Sequence, residues 1–205
     1  MGLAAGLLLA AAPLYADEAP EAGFTPLFDG KTLDGWEGKL KWFRIEDQAI
    51  VAGTLKENIP NNEFLCTKQP FGDFELQLQF KVLGEGANAG IQFHSQRVPN
   101  HHEVSGYQAD LGEGWYGALY DESRRNRPLA KPDGKELDKV LKRGEWNDYT
   151  IRAVDGHIQL WINGVKTVDY QEDDKDIPQN GYIALQIHGG KPSEAHYRNI
   201  RIKKL

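Results

Sequence analysis

The chain has 205 residues, with 24 Lys and Arg against 30 Asp and Glu and a formal net charge of -6. Mixed charge with an acidic excess argues against a nucleic-acid partner, and a single cysteine, Cys66, excludes an intrachain disulfide. The 22 Gly, 10 Pro, 5 Trp, 8 Tyr and 8 Phe, with only one short helical pattern, favour an all-β domain.

Leu3 to Ala12 is an apolar run, and Leu14-Tyr15-Ala16 closes it ahead of Asp17-Glu18. This predicts a secretory signal peptide over residues 1–16, because the run is too short to span a bilayer. The mature chain is then expected to be exported, periplasmic or secreted, with no membrane partner. Residues 17–23 read as a flexible leader and residues 24–205 as one domain with a sizeable core.

Strand signals follow in order. Phe43 to Ile45 and Ile50 to Val51 flank a turn, and Phe64 to Thr67 is short and apolar. Phe74 to Val82 alternates without a break, the strongest period-two pattern in the chain. Gly90 to Ser95, Val104 to Leu111 and Tyr149 to Val154 come next. Ile158 to Ile162 and Val165 to Tyr170 are joined by Asn163-Gly164, a primed-turn hairpin signal. Gly181 to His188 and Ala195 to Ile202 close the chain, and Lys135 to Lys142 is the single expected helix. About ten strands without βαβ alternation imply an antiparallel two-sheet sandwich of jelly-roll type. Arg124 to Asp138 reads as a long polar loop.

Strand alternation converts these segments into a candidate site. Ile91 and Phe93 face the core, so Gln92 and His94 face outward; likewise Gln108 and Asp110 oppose Tyr107, Ala109 and Leu111, and Gln186 and His188 oppose Leu185 and Ile187. If the three strands are neighbours, six polar side chains line one sheet face, beside a turn that carries Glu113, Trp115, Tyr120 and Glu122. Amides, carboxylates and aromatic rings at this density suit a polyol. The plain alternative is a solvated sheet face, which more often carries Lys, Glu and Thr. Two His and one Asp on that face leave room for a divalent cation, although no tight ligand spacing marks one. His101 and His102 fall in a loop, and His157 and His196 read as structural.

Gln108-x-Asp110-x-x-Glu113 stands where laminarinase-like sandwiches carry Glu-x-Asp-x-x-Glu, and Gln cannot serve as the carboxylate nucleophile of a retaining glycosidase. No nucleophile elbow, phosphate loop or dinucleotide fingerprint occurs. The remaining chemistry is acid/base work, with or without a metal.

Larger blocks carry a resemblance. They are Leu27-Phe28-Asp29-Gly30-Lys31-Thr32-Leu33-Asp34-Gly35-Trp36, Phe71-Gly72-Asp73-Phe74-Glu75-Leu76, Asn88-Ala89-Gly90-Ile91 and Gly106-Tyr107-Gln108-Ala109-Asp110. Leu119-Tyr120-Asp121-Glu122, Glu145-Trp146-Asn147, Leu185-Gln186-Ile187-His188-Gly189-Gly190 and Arg198-Asn199-Ile200-Arg201-Ile202 complete the ordered set. From Phe24 to Leu205 the chain resembles the 3-keto-disaccharide hydrolase domain family. That resemblance implies a concanavalin A-like sandwich acting on sugars oxidised at carbon 3, which a separate sugar 3-dehydrogenase would supply. Relatives often carry Arg where His94 stands, so no ligand role for His94 is implied.

A ketone at carbon 3 acidifies the hydrogen on carbon 2, and the enolate can expel the glycosidic oxygen from carbon 1. Such chemistry needs a base, an electrophile for the enolate and an acid for the leaving group. The expected roles are His188 or Asp110 as base and Glu122 as acid, with Arg124 or a bound cation facing the enolate. Gln92, His94, Gln108 and Gln186 would hold the sugar, with Trp115 and Tyr120 stacking on it. The alternative is a non-catalytic carbohydrate-binding module of the same fold.

Overall fold

The computed structural model describes residues 22–205. The expected signal peptide and the leader as far as residue 21 lie outside the described residues.

Fifteen strands and one helical turn follow in chain order: β1 Thr25–Pro26, β2 Trp36–Glu37, β3 Phe43–Glu46, β4 Ala49–Thr54, β5 Glu63–Thr67, β6 Phe74–Leu83, β7 Asn88–Arg97, β8 Val104–Gly112, β9 Leu119–Glu122, β10 Arg127–Ala130, α1 Leu137–Val140, β11 Asn147–Val154, β12 His157–Ile162, β13 Val165–Gln171, β14 Tyr182–Ile187 and β15 Ser193–Lys204. One sheet, termed the back sheet, runs β13-β12-β11-β6-β15-β4-β3, with β1 added on β15; the other, the front sheet, runs β10-β9-β8-β7-β14-β5-β2. The result is an all-β antiparallel sandwich of jelly-roll type.

Each expected strand is present. The additional ones, β1, β2, β9 and β10, are two to four residues long, too short for period-two alternation to mark them. Residues 124–138 are therefore not wholly a loop, since Arg127–Ala130 pairs with β9. The helix is shorter than expected, a single turn at Leu137–Val140.

Between the sheets lies one apolar core. From the back sheet, β6 contributes Phe74, Leu76, Leu78, Phe80 and Val82 and β11 contributes Tyr149, Ile151 and Ala153. Ile91 and Phe93 of β7, Tyr107, Ala109 and Leu111 of β8, and Leu185 and Ile187 of β14 meet them from the front sheet. The two outer faces differ. Along β6 burial alternates residue by residue, as for a sheet with one wet face. Across β7, β8 and β14 the outward side chains are buried as well. Gln92 and Gln186 have no exposed surface, and Gln108 and Asp110 have 2% and 4%. Polar side chains buried on the outside of a sheet signal a built site, because desolvating an amide or carboxyl without purpose is costly.

Candidate functional site

A bulge shapes the front face. His94 has a φ of +46°, a left-handed conformation rare for a residue with a Cβ, and the β7–β8 register shifts between Phe93 and Gln96. Gly106 of β8 makes the close approach possible, because a Cβ there would stand 2.2 Å from Ser95 Oγ. Beyond the bulge the hairpin curls over the outer face, bringing Val104 O to 3.0 Å from Gln92 Nε2.

The same bulge overturns one expectation. His94 turns from the outer face toward the core side, where it packs edge-on against Phe74 and Phe93 and its Nε2 lies 2.9 Å from Gly72 O. Alternation fails here because the extra residue shifts the phase of the pleat. Burial holds its imidazole below the usual histidine range, and the ring does not line the outer face.

The register of the remaining strands places the predicted groups in rows. Gln186 of β14, Gly90 of β7 and Asp110 of β8 stand side by side. The next row runs Ala184, Gln92, Gln108 and Tyr120, and Glu122 follows opposite Gly106. Gly90 matters because the Gln108 side chain lies over it: a Cβ at position 90 would sit 2.6 Å from Gln108 Cγ and Cδ. Gln108 Nε2 in turn donates to Asp110 Oδ1 at 2.8 Å, and Gln92 Nε2 reaches Gln108 Oε1 at 3.3 Å. Below the row, Tyr197 OH from the back sheet lies 2.7 Å from Gln186 O and 3.2 Å from Gly90 O, fixing β14 and β7 together.

Three buried amide atoms of this face have no hydrogen-bond partner among the described residues: Gln92 Oε1 and both Nε2 and Oε1 of Gln186. An orphaned buried amide costs stability, and bound water, a ligand or a catalytic role accounts for such a group. Burial pushes the Asp110 carboxyl up to about 7, with Glu122 adding to the rise and the Gln108 hydrogen bond opposing it.

Around the mouth, Glu122 is half-buried and its pKa is raised, first by burial and then by the neighbouring Glu103, while His188 opposes the rise. Sequence reasoning missed Glu103, which sits in a turn where no periodicity points. It accepts from Asn62 Nδ2 at 3.1 Å and Ser123 Oγ at 3.1 Å. Asn62 Oδ1 also accepts from Gly189 N at 3.0 Å, linking this carboxylate to the turn that carries His188. His188 lies at the exposed rim, one residue beyond β14, with Nδ1 2.6 Å from Gly189 O.

Trp115 and Tyr120 meet edge-to-face with centroids 5.9 Å apart, and Lys131 Nζ lies 3.4 Å from the Trp115 ring centroid. Glu113 points elsewhere, pairing with Arg143 at 3.0 Å. Arg124 is also held away. Its Nε donates to the buried Asp121 at 2.8 Å and its guanidinium stacks 4.6 Å from the centre of the core residue Tyr107. Alternation along β9 explains this, since Asp121 faces inward between the outward Tyr120 and Glu122. Arg124 therefore serves a buried network with Arg125, Asp121 and Glu172 and does not face an enolate on the outer face. Among the described residues no group of three or more His, Cys, Asp or Glu side chains is arranged to hold a metal ion.

Comparison with known proteins agrees in kind. The model of the 3-keto-alpha-glucoside-1,2-lyase-like domain matches residues 23–203. A 3-keto-disaccharide hydrolase of Bacteroides thetaiotaomicron is 22% identical over 233 residues, covering 89% of this chain and 79% of that protein. Among solved structures, a Parabacteroides distasonis protein provisionally described as a glycosyl hydrolase superposes with a TM-score of 0.68 at 22% identity, covering 89% of this chain and 94% of its own. The carbohydrate-binding module CBM66 of Bacillus subtilis superposes with a TM-score of 0.63 at 10% identity, over 83% and 96% of the two chains. At such identities these two structures show a common fold.

Proposed function

Because the chain belongs to the family of 3-keto-alpha-glucoside-1,2-lyase-like domains, we propose that it cleaves the glycosidic bond of 3-keto-glycosides by elimination across carbons 1 and 2. The observation that carries this reading is Asp110: a buried carboxyl pushed up to about 7, clamped by Gln108 and in one row with Gln186, whose buried amide has no partner among the described residues. A base poised near the working pH combines a populated carboxylate with enough basicity to abstract a carbon-bound proton.

In the proposed reaction Asp110 takes the proton from carbon 2, and the electron pair moves into the carbon 3 carbonyl as an enolate. The Gln186 amide N–H, buried and unpartnered, donates to that developing oxyanion. Collapse of the enolate forms the carbon 1–carbon 2 double bond and expels the glycosidic oxygen, which takes a proton from Glu122. Burial and the adjacent Glu103 raise the Glu122 carboxyl above the usual carboxylate range, the direction a general acid needs. Water adding across the new double bond gives net hydrolysis; without it the enzyme is a lyase. His188 lies at the rim beside Glu122, placed to relay protons to solvent. Gln92 and Gln108 hold sugar hydroxyls, and Trp115 and Tyr120 offer aromatic surface to the ring.

This reading implies an upstream oxidoreductase that installs the ketone, and export through the residue 1–16 segment would place the enzyme outside the cytoplasm. The test is incubation with 3-ketotrehalose in deuterated water, with and without EDTA, with intact trehalose as control. Cleavage of the keto sugar alone, with deuterium entering carbon 2, is expected. No turnover over a panel of keto-glycosides, alongside binding of intact glycans on the front face, would replace the enzyme with a binding module.

A further inference from the structure

The outer face of the back sheet, opposite the proposed active face, carries a second feature that the proposed reaction does not use. A groove of ≈ 280 Å³ is lined by Glu75, Asp148, Thr150, Trp161, Asn163 and Gly164. Trp161 of β12 is flanked across the sheet by Thr150 of β11 on one side and Lys166 of β13 on the other. Lys166 Nζ stands 5.5 Å from the centre of the indole and belongs to a separate charge cluster with Asp169. On the Thr150 side the short side chain leaves the tryptophan bordering the groove. Gly164, in the Asn163-Gly164 turn, meets nothing within 4 Å of where a Cβ would stand, so that end is open.

The groove walls are held in place. Gln79 Nε2 donates to Asp148 Oδ1 at 2.9 Å, and Gln77 Nε2 donates to Glu75 Oε1 at 2.9 Å. Each carboxylate keeps its second oxygen, and neither forms an ion pair with another described residue. The Trp161 indole N–H and the Thr150 hydroxyl have no hydrogen-bond partner among the described residues.

We propose that this groove is a second, non-catalytic saccharide site that binds one pyranose ring of an unoxidised glycan. An indole face takes the apolar C–H surface of a sugar, and two pre-positioned carboxylate oxygens accept from its hydroxyl pairs. The volume of ≈ 280 Å³ falls just below the range of ligand clefts, about 300–1,000 Å³, which suits one ring and no more. The two sheets and the core between them separate this groove from Asp110, so the site would hold the protein to a glycan without competing for the keto sugar.

The test is an amide and indole NMR titration of the protein with trehalose, cellobiose and maltotriose. A saturable shift of the Trp161 indole resonance, identified by its loss in Trp161→Phe, is expected together with shifts at Asp148 and Thr150. Trp161→Ala should weaken binding about tenfold or more and leave 3-ketotrehalose cleavage unchanged. If Trp161→Ala does not fold, the wild-type shift map decides the matter alone. Shifts confined to Gln92, Gln108 and Gln186, or none in the millimolar range, would overturn the proposal. So would tetramethylammonium saturating the groove at lower concentration than any saccharide, since that result marks a cation site.

Discussion

Gln108 Nε2 donates to Asp110 Oδ1 at 2.8 Å, from two positions earlier on the same strand. The amide thus stabilises the charged form of a carboxyl that burial pushes the other way, and the balance leaves it near 7. Gly90 makes room for this clamp on the neighbouring strand.

Asp110→Asn should lower kcat on 3-ketotrehalose by about 10²–10⁴-fold, the range for losing a general base. The wild-type rate should rise with pH through about 7 as Asp110 ionises. A pH–rate profile checks both, and an Asn variant with an unchanged lower limb would remove Asp110 from the role.

Stability should move the opposite way with pH. The folded-state pKa of Asp110 is raised from 3.8 to about 7, so folding favours the protonated form. That contribution is present in full below about 3.8 and is lost as pH rises through about 7. The loss is at most about 4 kcal/mol. Denaturant titrations of wild type and Asp110→Asn should therefore show the variant gaining relative stability from pH 5 to pH 8.

Gln186→Leu removes two buried amide atoms that have no partner. Folding stability should stay level or rise by about 1 kcal/mol, because an unsatisfied polar group is exchanged for an apolar one. Activity should fall about tenfold or more, as for loss of an oxyanion donor. Urea unfolding and steady-state kinetics on one preparation separate these effects, and a variant both less stable and fully active would contradict the assignment.

Gly90→Ala drives a Cβ into Gln108 at 2.6 Å. Overpacking of this kind costs about 1–3 kcal/mol, and the displaced Gln108 releases Asp110. The stability loss should be partly relieved in Gly90→Ala/Gln108→Ala, where the obstructing side chain is gone, while the kinetic loss should persist, because Asp110 lacks its clamp there too. A double-mutant cycle measures this relief directly.

Arg124→Ala and Asp121→Ala probe the buried network behind β9. Removing Asp121 strands Arg124, leaves Arg125 with Glu172 as its one ion-pair partner among the described residues, and should cost about 3–5 kcal/mol. Arg124→Ala should lower the thermal midpoint while leaving kcat on 3-ketotrehalose within about threefold of wild type, inside the range of effects below 1 kcal/mol. A large kinetic loss at full stability would return Arg124 to the reaction.

Much of the architecture was legible from local patterning. The unbroken alternation of β6 and the Asn163-Gly164 turn report backbone geometry that depends on near neighbours: side chains two apart share a face, and positive φ selects Asn and Gly. The same rule put Gln92, Gln108, Asp110 and Gln186 each on the non-core side of its strand, and the strand order β8-β7-β14 makes those sides one face. The strands β9 and β10 escaped notice because four residues are too few for a period to stand out.

Tertiary structure decided the rest. The bulge that turns His94 inward arises from packing between β7, β8 and β14, where Gly106 admits Ser95, and no single segment records it. Arg124 is claimed by Asp121 and Tyr107, partners that only the folded hairpin brings within reach. Glu103 joins Glu122 and His188 because a curled hairpin carries it there. Which polar groups are buried, and so which carry shifted pKa values and orphaned amides, depends on what covers them. Periodicity sets the side of a sheet a residue faces, but desolvation is a property of the assembled neighbours.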